Sequence, residues 1–371
     1  MPIIPNEIYF YIFDHIAPPD KRLTPERLHV LTSLCGVCRL FANVCLPRVF
    51  KIVVLSSPFL LNGTPVMVVS DTSSRESVLC AQLEAKQPLA LAIAKVVRVC
   101  HFKGWGIDEA KSCAVQLLSR KYITGMSYMT NIRELMFSDT LVDERHWNVI
   151  VNLSSLEELS FSCCLFRHTP ADVEPEKWLK VSRLQVVCCR SGGVRLPFTA
   201  INPQYLRALD MDHKFLDQVD WHLLSSLTEL RFHDYQCHGY GTLTGTEGQF
   251  MERLHAFLMQ APRSLKELRL LVDDGGVAHI PVRSMFDHPA WGNLSLLRSL
   301  TFMVESFSSD SFSYVSQTPS SSTSRLIDFV LDPFFSLGGC RTPRKFTITY
   351  GDKLLCGPGD LNHHASSRHH T

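Results

Sequence analysis

The chain has 371 residues, 45% hydrophobic and 20% charged, an ordinary globular balance with enough apolar matter for a large core. Lys and Arg total 37 against 36 Asp and Glu, and a net charge of +1 leaves no electrostatic footprint for nucleic acid or an anionic membrane surface. The N-terminus lacks the pattern of a secretory signal, and the longest apolar stretch (89–99) is broken by Lys95 and Arg98, well short of the roughly 20 residues that span a bilayer. The 13 cysteines, scattered along such a chain, read as reduced, buried small hydrophobes.

Ile4, Ile8, Ile12 and Ile16 recur at steps of four, with Tyr9 and Phe13 widening the stripe. This is the apolar face of a helix that carries Pro5 in its first turn and stops at Pro18-Pro19. A second helix is predicted from Thr24, with Pro25 at its first position and Leu28, Leu31, Leu34 and Cys35 on one face. A third carries Cys38, Phe41, Val44 and Cys45, followed by Pro47, Phe50 and the β-branched run Ile52–Leu55. Three helices this short bury little, so the segment is expected to lean on the domain behind it and on another protein.

Ile4-Pro5-x-Glu7-Ile8, Ile12, His15-Ile16, Leu34, Val37-Cys38-Arg39-x-Phe41, Pro47-x-x-Phe50 and Ile52-x-x-Leu55 together resemble the F-box, in its fungal form, over about residues 3–55. Ile4 stands where the F-box pattern has Leu, and the 17–26 loop is longer than usual. The resemblance implies docking to a Skp-type adaptor, and through it to a cullin–RING ubiquitin ligase, by Ile4, Pro5, Ile8, Ile12, Leu34, Val37, Cys38, Phe41 and Pro47. The plain alternative is that these residues form the segment's own core and cap the domain behind it. Cys35-x-x-Cys38 lies between helical stripes and is accounted for by the same pattern, so it is not read as a redox or metal motif.

Beyond residue 130 a six-residue fragment recurs, apolar at positions one, four and six. Ile132-Arg-Glu-Leu135-Met-Phe137 and Leu156-Glu-Glu-Leu159-Ser-Phe161 are its first two copies. Further copies start at Leu184, Leu206, Leu227, Leu265 and Leu297, at gaps of 24, 28, 22, 21, 38 and 32 residues. The short gaps fit a leucine-rich repeat of roughly 20–29 residues, although the asparagine of that consensus is missing after most copies. Positions four and six alternate as in a strand with one buried face. The segments between are expected to be helical or 3₁₀, including Trp147–Val151 and the stripe Phe250, Leu254, Phe257, Leu258 behind a capping-box candidate, Thr246-x-x-Gln249.

The expected fold is therefore α/β: a helical F-box-like segment (1–55), an irregular lead-in (56–130) and leucine-rich-repeat-like units (131–305) forming a solenoid with a curved parallel sheet. A serine-rich loop (306–324), a capping strand within 325–356 and a disordered tail (357–371) complete the chain. The alternative is a non-repetitive α/β domain. Ile52–Leu55, Val66–Ser70 and Val96–Phe102 are read as irregular strands of the lead-in.

No motif singles out catalysis. Gly239-x-Gly241-x-x-x-Gly245 has the wrong spacing for a phosphate loop, and neither a zinc-protease motif nor a nucleophile elbow occurs. No cofactor or metal is expected, and the histidines at 363, 364, 369 and 370 are read as a polar tail. What remains is a binding face formed by the strand side chains between the buried positions. It includes Glu134, Met136, Glu158, Glu229 and Glu267, with Asp210, Asp212, Arg231, His233 and Arg269 as the candidates for target binding. The expected function is an intracellular, non-enzymatic adaptor that presents a protein target to a ligase. A repeat scaffold unconnected to ubiquitin transfer is the alternative.

Overall fold

The computed structural model describes residues 6–16, 24–57, 75–106, 113–170, 174–191, 197–234, 248–273, 289–305, 345–350 and 353–356. Ile4, Pro5, the expected strand at 66–70, the glycine loop at 239–245, Thr246, the serine-rich segment and the tail lie outside them. The fold is α/β, in two compact units: Met1–Leu179 with Arg190–Val194, and Lys180–Cys189 with Arg195–Thr371.

The first unit opens with three helices, α1 (Asn6–Ile16), α2 (Pro25–Cys35) and α3 (Arg39–Val49). Thr24 caps α2, its hydroxyl accepting the Arg27 N–H at 3.4 Å, and Pro25 occupies the first turn as the sequence indicates. Helix α3 runs through Pro47, which has no N–H to give to the preceding turn. Phe13, Leu31, Val44, Cys45 and Val49 form a core with Tyr9, Ile16, Leu28, Leu34, Cys35, Phe41 and Phe50 packed around it.

Strand β1 (Ile52–Ser56) follows, then α4 (Arg75–Glu84), α5 (Pro88–Ala94), β2 (Val99–Lys103), α6 (Cys113–Ser127) and β3 (Glu134–Ser138). The unit continues with β4 (Leu141–Val142), α7 (Glu144–Ile150), β5 (Glu158–Ser162) and β6 (Leu165–Phe166). In the second unit lie β7 (Arg183–Val187), β9 (Ala208–Asp212), β10 (Glu229–Asp234), α8 (Gly248–Gln260), β11 (Glu267–Asp273), β12 (Ser299–Glu305), β13 (Lys345–Tyr350) and β14 (Lys353–Cys356), while β8 (Arg190–Ser191) belongs to the first. Short 3₁₀ turns replace helices at Pro175–Lys177, Pro197–Ala200, His213–Gln218, Trp221–Leu223 and Pro289–Asn293.

The pairing is parallel and in register. Val53, Cys100, Leu135 and Leu159 stand side by side in the first unit. Leu184, Leu209, Leu230, Leu268, Leu300 and Phe346 do so in the second, where β14 closes the edge antiparallel to β13. Positions four and six are buried in every described copy, from Val53 and Leu55 through Leu268 and Leu270. Each such side chain contributes about 1.5–3 kcal/mol by leaving water. From β2 to β5 position six is an aromatic row, with Phe102–Phe137 centroids 5.7 Å apart and Phe137–Phe161 stacked at 5.3 Å.

The register corrects the reading of the third copy. Leu184 pairs with Leu209, which is a position four, so this copy starts at Val181 and not at Leu184. The successive starts 132, 156, 181 and 206 then fall 24, 25 and 25 residues apart. A hydrogen-bond signature fixes the same frame. The N–H groups at positions two and three both donate to the position-two carbonyl of the preceding copy. Arg133 and Glu134 do so to Arg98 O (2.7 and 3.1 Å), and Arg207 and Ala208 to Ser182 O (2.8 and 3.0 Å). By this frame β1 and β2 are regular copies, starting at Phe50 and Val97.

The turn after the strands is also shared. Position eight adopts a left-handed backbone at Gly104 (φ 80°), Asp139 (47°), Cys163 (55°) and Cys188 (55°). Position nine then points inward. Trp105 Nε1 donates to Leu55 O at 2.9 Å, Thr140 Oγ1 to Phe102 O at 3.4 Å and Cys164 Sγ to Phe137 O at 3.5 Å. A second, three-stranded parallel row, β4-β6-β8, continues from there. On the helical side of this unit, α6 approaches α4 so closely at Gly125 that a Cβ there would lie 2.4 Å from Cys80 Sγ.

Candidate interaction surfaces

The predicted docking residues divide. Phe41 and Leu34 are half-buried within the helical core, and Phe41 meets Tyr9 and Phe13 edge to face at centroid distances of 5.3 and 5.2 Å. Pro47 is half-buried in α3. Ile8 (47% exposed), Ile12 (48%) and Val37 (64%) face outward, and Phe10, Tyr11, Val30 and Leu40 are exposed on the same three helices. Cys38 is exposed at the N-cap of α3. Cys35 shares a hydrogen bond with Cys45, and burial pushes the Cys45 thiol up to about 11.

The second surface is the sheet face of the second unit, where positions three, five and seven project away from the core. It brings the five predicted residues together. Asp210 (five) binds His233 Nε2 (seven, next strand) and accepts from Gln185 Nε2 at 3.4 Å, with Arg231 Nη1 at 3.9 Å. Asp212 accepts the backbone N–H of Cys188 at 3.1 Å and pairs with Lys214 Nζ at 3.2 Å. Burial pushes the Asp212 carboxyl up against the opposing pull of Lys214 and the Cys188 N–H. Arg269 reaches Glu267 at 3.5 Å, and Arg183 reaches across β9 to Glu229 at 3.5 Å, over the small side chain of Ala208. Asp210, Asp212 and His233 are all buried, so the centre of this face is a packed polar network and not a solvated surface. Glu134, Met136 and Glu158 belong to the first unit.

Sequence reasoning missed Arg183, Gln185 and Lys214. With the third copy started at Leu184, Gln185 falls at position two. In the observed frame Arg183 and Gln185 occupy positions three and five, beside Ala208 and Asp210. Lys214 lies beyond the six-residue fragment. Among the described residues, no group of three or more His, Cys, Asp or Glu side chains is placed to hold a metal, and no helix is long and apolar enough to cross a membrane.

No protein-family model and no curated protein matches the sequence. Among solved structures, the chain is similar at 11% identity to a protein from Bacteroides fragilis, over 57% of this chain and 61% of that one. The TM-score of that match is 0.28, so it bears on neither fold nor function.

Proposed function

We propose that the chain is a non-enzymatic substrate-recognition adaptor of an SCF-type ubiquitin ligase. Its α1–α3 segment binds a Skp-type adaptor and its strand domain, leucine-rich-repeat-like, holds a protein target. The observation that carries the reading is the division of α1–α3 into two sets of apolar residues. Phe13, Leu31, Phe41 and Val44 close a core, while Ile8, Ile12, Val37 and Leu40 remain on its outside. Apolar side chains in such number on three short helices are what a helical docking element presents to an apolar groove. The repeat half of the reading is supported by position nine, where Cys164 and Cys189 meet the asparagine-or-cysteine preference of leucine-rich repeats.

A second reading, in which the helices only cap the strands, is favoured by one contact. Phe50 belongs to the helical core, and the Arg75 guanidinium of α4 lies 5.3 Å over its ring. Capture of the full chain by a purified Skp-type adaptor separates the two. Ile8→Asp and Val37→Asp change exposed positions, so the fold survives while an unpaired charge is driven into any interface. Capture by the unaltered chain that both variants abolish supports the ligase reading. Absence of capture by the folded chain refutes it and leaves the scaffold.

A further inference from the structure

The strand register sets two arginines side by side, since Arg231 of β10 and Arg269 of β11 are paired positions on adjacent parallel strands. Adjacent strands lie about 4.8 Å apart, and like charges directly opposite one another destabilise a sheet. Ion pairing within the face leaves this repulsion partly uncompensated. Among the described residues the carboxylate nearest Arg231 is Asp210, at 3.9 Å, and that carboxylate already binds His233 and Gln185. Arg269 has Glu267, at 3.5 Å on its own strand, with both side chains well exposed. Arg183 and Lys214 are committed to Glu229 and Asp212. Four carboxylates thus serve four fixed cations and His233, and the cation held most loosely is Arg231, next to Arg269.

We propose that Arg231 and Arg269 form a two-guanidinium fork for an acidic side chain of an extended peptide laid across β10 and β11. This rests on the target-binding half of the proposed function. Paired guanidiniums match an oxyanion geometrically, each offering two parallel N–H donors, and one bound anion cancels the repulsion between them. The two side chains are 34% and 38% exposed. A free anion at groups this open to water is held weakly, so the ligand is a chain segment large enough to cover the pair and exclude solvent. The Asp210–His233 bond and Gln185 hold in place the carboxylate that lies 3.9 Å from Arg231. A carboxylate and a phosphorylated side chain share the required chemistry.

The test exposes the full chain, without any adaptor protein, to arrayed peptides of otherwise random sequence with one fixed central residue: Glu, phosphoserine, Gln or Lys. Retention on the Glu or phosphoserine arrays, and not on Gln or Lys, is expected, and the stronger of the two names the source of the anion. Arg231→Gln and Arg269→Gln should each weaken retention roughly tenfold or more, the loss of one charge-assisted contact. Their melting temperature should stay level or rise, because each relieves a like-charge contact. Arg231→Lys, which keeps the charge but not the fork, should also bind poorly. Equal retention on Gln arrays, unchanged binding by the glutamine variants, full binding by Arg231→Lys, or a melting temperature lowered by several degrees would each overturn the fork. Adaptor capture plays no part in this assay, so its failure and the failure of the ligase reading are seen separately.

Discussion

The left-handed turn at position eight can be tested by substitutions of opposite sign at equivalent places. Cys163 holds φ at 55° with a Cβ, whereas Gly104 holds φ at 80° without one. The left-handed backbone costs an L-residue about 1–2 kcal/mol, which glycine avoids. Glycine loses about 0.4–1 kcal/mol more through unfolded-state entropy. Cys163 is exposed, so the substitution acts chiefly on the backbone of the turn. Cys163→Gly should therefore stabilise the protein by about 0.5–1 kcal/mol, the difference of those two costs. Gly104→Ala should destabilise by at least the same amount. The assay is urea unfolding followed by the fluorescence of the buried Trp105 and Trp147 of the first unit, reading midpoints at constant slope. A Cys163→Gly protein less stable than the unaltered chain, or a neutral Gly104→Ala, would refute the shared turn.

Three further outcomes are expected. Gly125→Ala places a Cβ 2.4 Å from Cys80 Sγ and 2.9 Å from Cys80 Cβ, and overpacking of this kind costs about 1–3 kcal/mol. Adding Cys80→Ala should recover part of that loss in a double-mutant cycle, and strict additivity would show that α4 and α6 do not meet there. Phe41→Ala, which removes the edge-to-face contacts to Tyr9 and Phe13, should lower stability by about 2–4 kcal/mol, while Val37→Asp stays within about 0.5 kcal/mol. Equal losses in thermal unfolding would erase the distinction between core and exposed residues. Asp212, with its folded pKa raised by burial, gives stability that is full below the ordinary carboxylate range and declines as pH rises through the raised value. Asp212→Asn should flatten that decline in urea midpoints measured from pH 4 to pH 8. A decline of the same size in the variant would assign it to other groups.

The strand frame was legible wherever leucine marks it. Leu135, Leu159, Leu209, Leu230, Leu268 and Leu300 were identified by spacing alone, and all stand in the buried row. The frame became ambiguous where β-branched residues crowd the strand. In Val181–Cys189 both Val186 and Val187 are buried, so either phase of the alternation looks apolar, and only the pairing of Leu184 with Leu209 decides. β1 and β2 went unrecognised as regular copies because Val53 and Cys100 occupy position four without resembling leucine. The turn at positions eight and nine was illegible for a different reason. Gly, Asp and Cys share a backbone angle there, and Trp, Thr and Cys share an acceptor, which are properties of geometry and not of residue type. The polar face was half legible: its charged residues could be named, but not that Asp210, Asp212 and His233 are buried together.

The same frame separates positions taken up by packing from positions left to the surface. Positions four and six are consumed by packing and are buried from Val53 and Leu55 through Leu268 and Leu270. Positions three, five and seven are free of that demand, and there the second unit places Arg183, Gln185, Asp210, Asp212, Arg231, His233 and Arg269. A buried polar pair such as Asp210–His233 rarely stabilises more than an apolar pair of equal volume. Its place on a face that also carries the apolar Ala208 and Leu271 is better explained by positioning than by stability. Helices α1–α3 follow the same division at smaller scale. A helical unit of about 45 residues buries little surface of its own. Phe50 of the helical core lies under the Arg75 guanidinium of α4, while Ile8, Ile12 and Val37 stay outside.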